Sequence, residues 1–383
     1  MSKKFNNLFN KIVDEKNLYE AYKSVKRGSN KYHIEAIEFS KNETYNLYKL
    51  RESLINKTYV YSGYSKFYVY EPKERLIYAP CFVDKIVQIA TNTVLKEIYN
   101  NCFIYDSYGS IDNKGTHKCV DKISSNLRKG KYLYGDNAYI LKLDIKKFFY
   151  SIDRNVLKRI YRKKIKCKDT LWLLDLVIDS AEQIDKLGLP LGNTLSQLSA
   201  NVYLNELDQY VKRKLKVKFY VRYMDDMILV LENKDKAKEI KIKINEFLSK
   251  NLHMELNLKK SKVFPLNQGV NSIGFKIYPT HRLLRNDSKK KIKKKCKSIP
   301  NLINNKNVKI IKIEQILNSW LGHAKHGNNY NFVNSLLAKY DYLTLENSSL
   351  KVKGDKLWFY STRIKTNMNF VLTRLIILTV VKL

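Results

Sequence analysis

The spacing of apolar residues changes period several times along the chain, and each change predicts an element. Over residues 1–60, Leu8, Ile12, Val13, Leu18, Tyr22, Leu47, Leu50 and Leu54 recur at helical spacing. Between 58 and 80 the pattern turns β-like and aromatic, with Tyr59, Tyr61, Tyr64, Phe67, Tyr68 and Tyr70 crowded together. A helix opens after Pro80 and runs towards Tyr99. The β-like run from Tyr139 to Leu143 ends in Asp144, a residue poorly suited to a strand interior. A helical stretch to about Ser180 follows, with Trp172, Leu173, Leu174, Leu176 and Val177 as core. Residues 188–197 form a Gly/Pro loop that opens another helix, whose stripe Ala200, Tyr203, Leu204 and Leu207 reads as core.

Two β-prone runs at 220–230 flank Asp225 and Asp226, the pattern of a tight hairpin with the Asp pair as its turn. A Lys-rich amphipathic helix is expected at 235–250, and strand, turn, strand at 252–263. A basic helix covers 289–297, and a second helix carries Ser319-Trp320-Leu321-Gly322-His323, with Trp320 as core. Asn328 and Asn329 mark the following break. Strand, helix and hairpin in this order predict an α+β fold, an antiparallel sheet backed by helices.

Charge narrows the partners. Lys plus Arg number 72 against 36 Asp plus Glu, a formal charge of +36 over 383 residues. The excess runs along the whole chain, with Lys23, Lys26, Arg27 and Lys31 already forming a basic face. A folded protein this basic meets a polyanion, with nucleic acid the leading candidate. A membrane surface is the other, but no basic amphipathic anchor stands out, and the apolar run 370–383 is broken by Arg374 and Lys382 and too short to span a bilayer. Cys81, Cys102, Cys119, Cys167 and Cys296 form no CxxC pair, which argues against a zinc finger or a disulfide scaffold. The N-terminus has no apolar signal core, so a reducing cytoplasm is the expected location.

An Asp-Asp turn by itself is usually an ordinary hairpin. The picture changes because Asp144, the loop Gly188-Leu189-Pro190-Leu191-Gly192-Asn193-Thr194-Leu195-Ser196-Gln197 and the box Tyr223-Met224-Asp225-Asp226 occur in this order. Together they resemble motifs A, B and C of reverse transcriptases, and the resemblance covers roughly residues 45–335. It implies a right-hand polymerase: N-terminal helices and fingers over 1–135, an antiparallel-sheet palm over 136–280, a helical thumb over 281–345, and an extension of unassigned role over 346–383.

The resemblance also assigns roles. Asp144 and Asp225 would bridge two Mg2+ ions, or Mn2+ in their place, helped by the Ile145 carbonyl, with Asp226 adjacent; carboxylates are the hard oxygen ligands such ions take beside phosphates. Lys260, in motif D, would protonate pyrophosphate, and Lys73 and Arg75 on the fingers hairpin would hold the triphosphate. Phe149, five residues after Asp144, would be the steric gate that selects deoxyribonucleotides. Leu191, Gly192, Ser196 and Gln197 would line the nucleotide site. His117, beside Gly115 and Thr116, is either a template contact or a structural hydrogen-bonder. Ile273-Gly274-Phe275 resembles the primer grip, and the 289–297 helix would track a duplex backbone.

One departure stands out. Many reverse transcriptases carry Gln before the motif B glycine and Pro after its serine, where this chain has Leu191 and Gln197. That variant resembles bacterial enzymes of diversity-generating retroelements and of abortive-infection or other phage-defence groups, and it implies altered base selectivity. No segment resembles an RNase H, an integrase or a zinc-bearing endonuclease. The expected partners are an RNA template, a DNA primer and product, dNTPs and an accessory protein; self-association stays open and no membrane is expected. The readings weighed are a reverse transcriptase copying a dedicated RNA, a defence enzyme making DNA from a non-coding RNA or without a template, and a non-catalytic nucleic-acid-binding protein on the same fold.

Overall fold

A computed structural model describes residues 4–70, 74–183, 187–304 and 310–339. Lys73, the 346–383 extension and its apolar run lie outside these residues. The chain divides into two compact units, Met1–Leu266 and Asn267–Leu383.

The first unit begins with helices α1 (Leu8–Ile12), α2 (Glu15–Val25), α3 (Ile34–Lys41) and α4 (Glu43–Ile55). Asp14 starts α2 by accepting the Asn17 N–H at 3.2 Å, and Leu18, Ala21, Tyr22 and Val25 form its buried stripe. An antiparallel hairpin follows, β1 (Tyr64–Val69) and β2 (Arg75–Pro80), then α5 (Phe82–Tyr99) and α6 (Thr116–Tyr134). After β3 (Tyr139–Leu143), the helical stretch expected up to Ser180 is two helices, α7 (Arg154–Lys164) and α8 (Lys168–Asp179). Ile165 breaks it by pairing in extended form with Phe5, whose N–H donates to Lys164 O at 2.8 Å.

Next come α9 (Thr194–Gln209), β4 (Phe219–Tyr223), β5 (Asp226–Leu231), α10 (Lys234–Leu252) and β6 (Lys262–Pro265). The four strands form one antiparallel sheet in the order β4-β5-β3-β6. Alternation gives it two covered faces. Tyr220, Leu141, Leu143, Met227, Leu229 and Leu231 join a core with α9 and α10. Ile140, Ile228 and Val230 face the other way, towards α6, where Gly130 lies so close that a Cβ would stand 2.4 Å from Val230 Cγ1. Both-face burial explains why these strands read as nearly continuous apolar runs.

Two expectations need correction. The hairpin turn is Met224–Asp225, not the Asp pair: Tyr223 pairs with Asp226, which is already the first residue of β5. Met224 takes the left-handed corner of the turn, φ 52°. The first strand expected in 252–263 shrinks to a single bridge, Leu256 with Ile145. Leu252 still belongs to α10, and the chain turns again at once, with Lys260 and Ser261 N–H groups both bonded to Asn257 O.

The second unit holds a three-stranded antiparallel meander, β7 (Val270–Ser272), β8 (Phe275–Ile277) and β9 (Arg282–Leu284), and helices α11 (Asn286–Asn304), α12 (Ile310–Ala324) and α13 (Tyr330–Lys339). Ile273 and Gly274 make the β7–β8 turn at φ 46° and 83°. On α11, Ile292, Cys296 and Ile299 are buried at helical spacing while Lys290, Lys291, Lys293, Lys294, Lys295 and Lys297 are exposed. Asn329 is buried and staples the break: it accepts the Leu284 N–H at 2.8 Å and donates to Ala324 O at 2.9 Å. Trp320 packs edge-on to Phe332, ring centroids 6.1 Å apart. Among the described residues, all five cysteines are free and no helix is long and apolar enough to cross a membrane.

Candidate active site

Strand register brings the aspartates together. Leu143 pairs with Met227, so continuing the antiparallel ladder by one residue sets Asp144 opposite Asp226 at the same end of the sheet. Asp144 is buried and clamped through its backbone: its N–H donates to Ser261 Oγ at 3.2 Å, and its carbonyl accepts the Asn257 N–H at 2.8 Å. At the Ile145–Leu256 bridge the ladder bonds run through Asp144 O and Lys146 N, which leaves the Ile145 carbonyl outside them.

The charges at this end are unbalanced. Burial pushes the Asp225 carboxyl up to about 6, and the Asp226 and Asp144 charges push the same way, against Lys260. Lys260 Nζ straddles Asp144, 3.0 Å from Oδ1 and 2.8 Å from Oδ2, and this contact, though opposed by burial, raises the ammonium pKa. Lys142 Nζ lies 3.8 Å from Asp226 Oδ1. Among the described residues, no three His, Cys, Asp or Glu side chains are gathered as a ready-made metal site. The donor set nonetheless fits hard divalent cations: oxygen ligands only, mutual repulsion that a cation relieves, and an ammonium already seated on Asp144.

Motif B is held at both ends by its glycines. Gly188 (φ +92°) leaves no room for a side chain, since a Cβ would lie 2.8 Å from Tyr150 Cα. Beside it the Leu189 N–H donates to Phe149 O at 2.9 Å. At the other end Gly192 (φ +106°) would put a Cβ 2.7 Å from Ile77 Cγ2, and Leu191 O accepts the Tyr78 N–H at 2.8 Å. The loop thus ties β2 of the fingers hairpin to the Phe149 segment. Asn193 then caps α9, accepting the Leu195 N–H at 2.8 Å. Ser196 is buried in the first turn; Gln197 is exposed and Leu191 half-buried.

The remaining candidates divide by place. Phe149 is half-buried, edge-on to the buried Phe148 at 5.3 Å. Arg75 is exposed at the start of β2. His117 lies in the first turn of α6. Ile273, Gly274 and Phe275 belong to the second unit.

Sequence reading missed what lies behind the hairpin. Arg222 and Asp208 form a fully buried ion pair, 0% exposed on both sides, 2.7 Å apart. Asn201 and Tyr220 complete the cluster. The signal was an arginine between Val221 and Tyr223 in an otherwise apolar strand, with an aspartate next to Leu207 on an apolar helix. Ser261, the hydroxyl on the Asp144 backbone, carried no signal at all.

Strand register thus sets Asp144 opposite Asp226 at one end of an antiparallel sheet, with Asp225 in the adjoining turn, in a chain of formal charge +36. The chain matches the reverse transcriptase (RNA-dependent DNA polymerase) family over residues 67–277, more than half its length, and belongs to that family. The four-stranded sheet lies within the matched residues. The putative COX1/OXI3 intron 2 protein of Saccharomyces cerevisiae is 26% identical over 344 residues, 71% of this chain and 37% of that one. The group II intron-encoded protein LtrA of Lactococcus lactis subsp. cremoris is 31% identical over 180 residues, 45% of this chain and 29% of that one. The chain thus spans little more than a third of the first relative and less than a third of the second. Apo telomerase from Candida tropicalis overlays at a TM-score of 0.44 and 14% identity, covering 63% of this chain and 53% of that one.

Proposed function

We propose that this chain is an RNA-directed DNA polymerase that copies an RNA template onto a DNA primer at Asp144, Asp225 and Asp226. The observation that carries the reading is the convergence of these carboxylates, with Asp225 pushed up to about 6 by burial and by its neighbours' charge. Asp144 and Asp225 hold the divalent cations, with Asp226 and the Ile145 carbonyl assisting. Bound Mg2+, or Mn2+ in its place, supplies the charge that acidifies the primer 3′-hydroxyl and steadies the departing pyrophosphate.

The protein's own groups do the rest. The primer 3′-hydroxyl loses its proton to solvent, and its oxygen bonds to the α-phosphorus as the bond to the bridging oxygen of pyrophosphate breaks. Lys260, kept protonated by its carboxylate neighbour, gives up a proton from Nζ to that leaving group. Arg75, with Lys73, offsets triphosphate charge. Phe149 crowds the sugar 2′ position and excludes ribonucleotides. Leu191 replaces an amide beside the nascent pair with an aliphatic chain and relaxes base selection. The exposed lysines of α11 follow the template–primer backbone.

Leu191 and Gln197 fit a second reading of the biological role equally, a defence enzyme that makes DNA from a dedicated non-coding RNA or without a template. Sequencing nucleic acid co-purified with wild type and with Asp225→Ala/Asp226→Ala separates these. DNA complementary to one RNA in wild type, with that RNA alone in the variant, is the expected result. Simple-repeat DNA without a matching RNA points to untemplated synthesis. Identical contents in both refute polymerisation and leave a nucleic-acid-binding protein.

A further inference from the structure

We propose that Arg222 is a positioning residue for the carboxylate turn, anchoring it from the back of the sheet. The inference rests on the reading of Asp225 as a cation-binding carboxylate. Alternation along β4 sends Tyr220 and Arg222 towards α9, while Val221 and Tyr223 share the opposite face with Asp226, the partner of Tyr223. Arg222 is therefore behind the reaction centre and touches no substrate.

Four of its five N–H donors have partners. Nε donates to Asp208 Oδ1 and Oδ2 at 2.9 and 3.0 Å, and Nη2 to Oδ2 at 2.7 Å. Tyr220 OH donates to the same carboxylate at 2.7 Å. Nη1 donates to Asn201 Oδ1 and to Met224 O, both at 3.0 Å. The main chain of Arg222 is fixed as well, its N–H donating to Asp106 O and its carbonyl accepting the Tyr108 N–H, each at 2.9 Å.

The Met224 contact is the one that matters. Met224 holds φ 52°, the positive φ that a two-residue hairpin requires at its first loop position and one costly for a residue with a side chain. Two features accommodate it. Gly109 leaves space beneath it, where a Cβ would lie 2.7 Å from Met224 N. Arg222 grips the Met224 carbonyl, which belongs to the same peptide plane as the Asp225 N–H. Fixing that plane fixes the direction in which Asp225 leaves the turn.

Stability alone does not account for the pair, because apolar replacements of buried ion pairs are often as stable. An apolar side chain offers Met224 O no donor. Lysine keeps the charge against Asp208, yet its single ammonium cannot fork to Asp208, Asn201 and Met224 at once.

The test uses full-length Arg222→Lys and Arg222→Met/Asp208→Leu beside Asp225→Asn, with thermal melting, nucleotide incorporation and Mn2+ titration calorimetry. Folded Arg222 variants should lose about tenfold or more in kcat and in Mn2+ affinity, while KM for dNTP stays within about threefold. A folded variant with wild-type kcat and Mn2+ affinity overturns the proposal. So does a failure of Arg222→Lys to fold, since that makes the residue structural. If Asp225→Asn is inactive and Arg222→Lys is not, this inference alone fails; if Asp225→Asn is fully active, the carboxylate reading fails with it.

Discussion

The first unit contains two antiparallel hairpins that look alike in sequence and differ in setting. The β4–β5 hairpin is buried on both faces and closed by two residues, with an arginine bolted behind its turn. In the β1–β2 hairpin every residue of β1 after Tyr64 is exposed, and Arg75 opens β2 on the surface. The buried hairpin suits carboxylates, whose short side chains must be aimed by the backbone. The exposed one suits long cationic side chains, which find a mobile polyphosphate for themselves. The motif B loop ties the exposed hairpin to the segment after β3, bonded to Tyr78 at one end and to Phe149 at the other. Aim is built into the buried hairpin and reach into the exposed one.

The comparison breaks first at the carboxylates. Asp144→Asn or Asp225→Asn should reduce kcat by about three decades or more in a primer-extension assay. For Asp225 stability should move the other way. Its folded pKa of about 6 lies above the ordinary value, so the stability tied to its neutral form is complete only below about pH 4 and is lost as pH rises through 6. In chelator, Asp225→Asn should therefore melt above wild type at pH 7.5, by up to about 3 kcal/mol, and alongside it at pH 4.

The motif B loop comes next. Gly192→Ala forces a Cβ against Ile77 and strains a φ of +106°, which should lift the loop off β2 and cost about a hundredfold in kcat/KM. Phe149→Ala should leave dNTP incorporation largely intact but reduce discrimination against ribonucleotides by about ten- to a hundredfold, read as a ratio of kcat/KM values. The smallest effect belongs to the exposed hairpin. Arg75→Ala should raise KM for dNTP by about tenfold, less at high salt, without moving the melting temperature.

Element types and the order of the candidate site were legible because each rests on local pattern: period, glycine and a carboxylate ending a strand. Asp144 was grouped with Asp225 and Asp226 through the resemblance to motifs A and C, before any register was known. The turn was misplaced by one residue because methionine does not mark a left-handed turn position in sequence; Gly109 and Arg222, distant or on the far face, make room for it and hold its carbonyl. The strand expected before Ser261 failed for a related reason. Its β-like residues are spent on one bridge to Ile145 while the chain turns to place Lys260 on Asp144. Arg222 with Asp208 was invisible because an ion pair made across an apolar helix and an apolar strand has no sequence spacing of its own.

The central claim is that the aspartates brought together by strand register perform nucleotidyl transfer. Single-nucleotide incorporation on an RNA template with a DNA primer, by wild type, Asp144→Asn and Asp225→Asn in Mg2+, tests it most directly. Extension by wild type alone is expected, abolished by chelator, with both variants folded and still bound to the template–primer. Equal extension by wild type and either folded variant would contradict it.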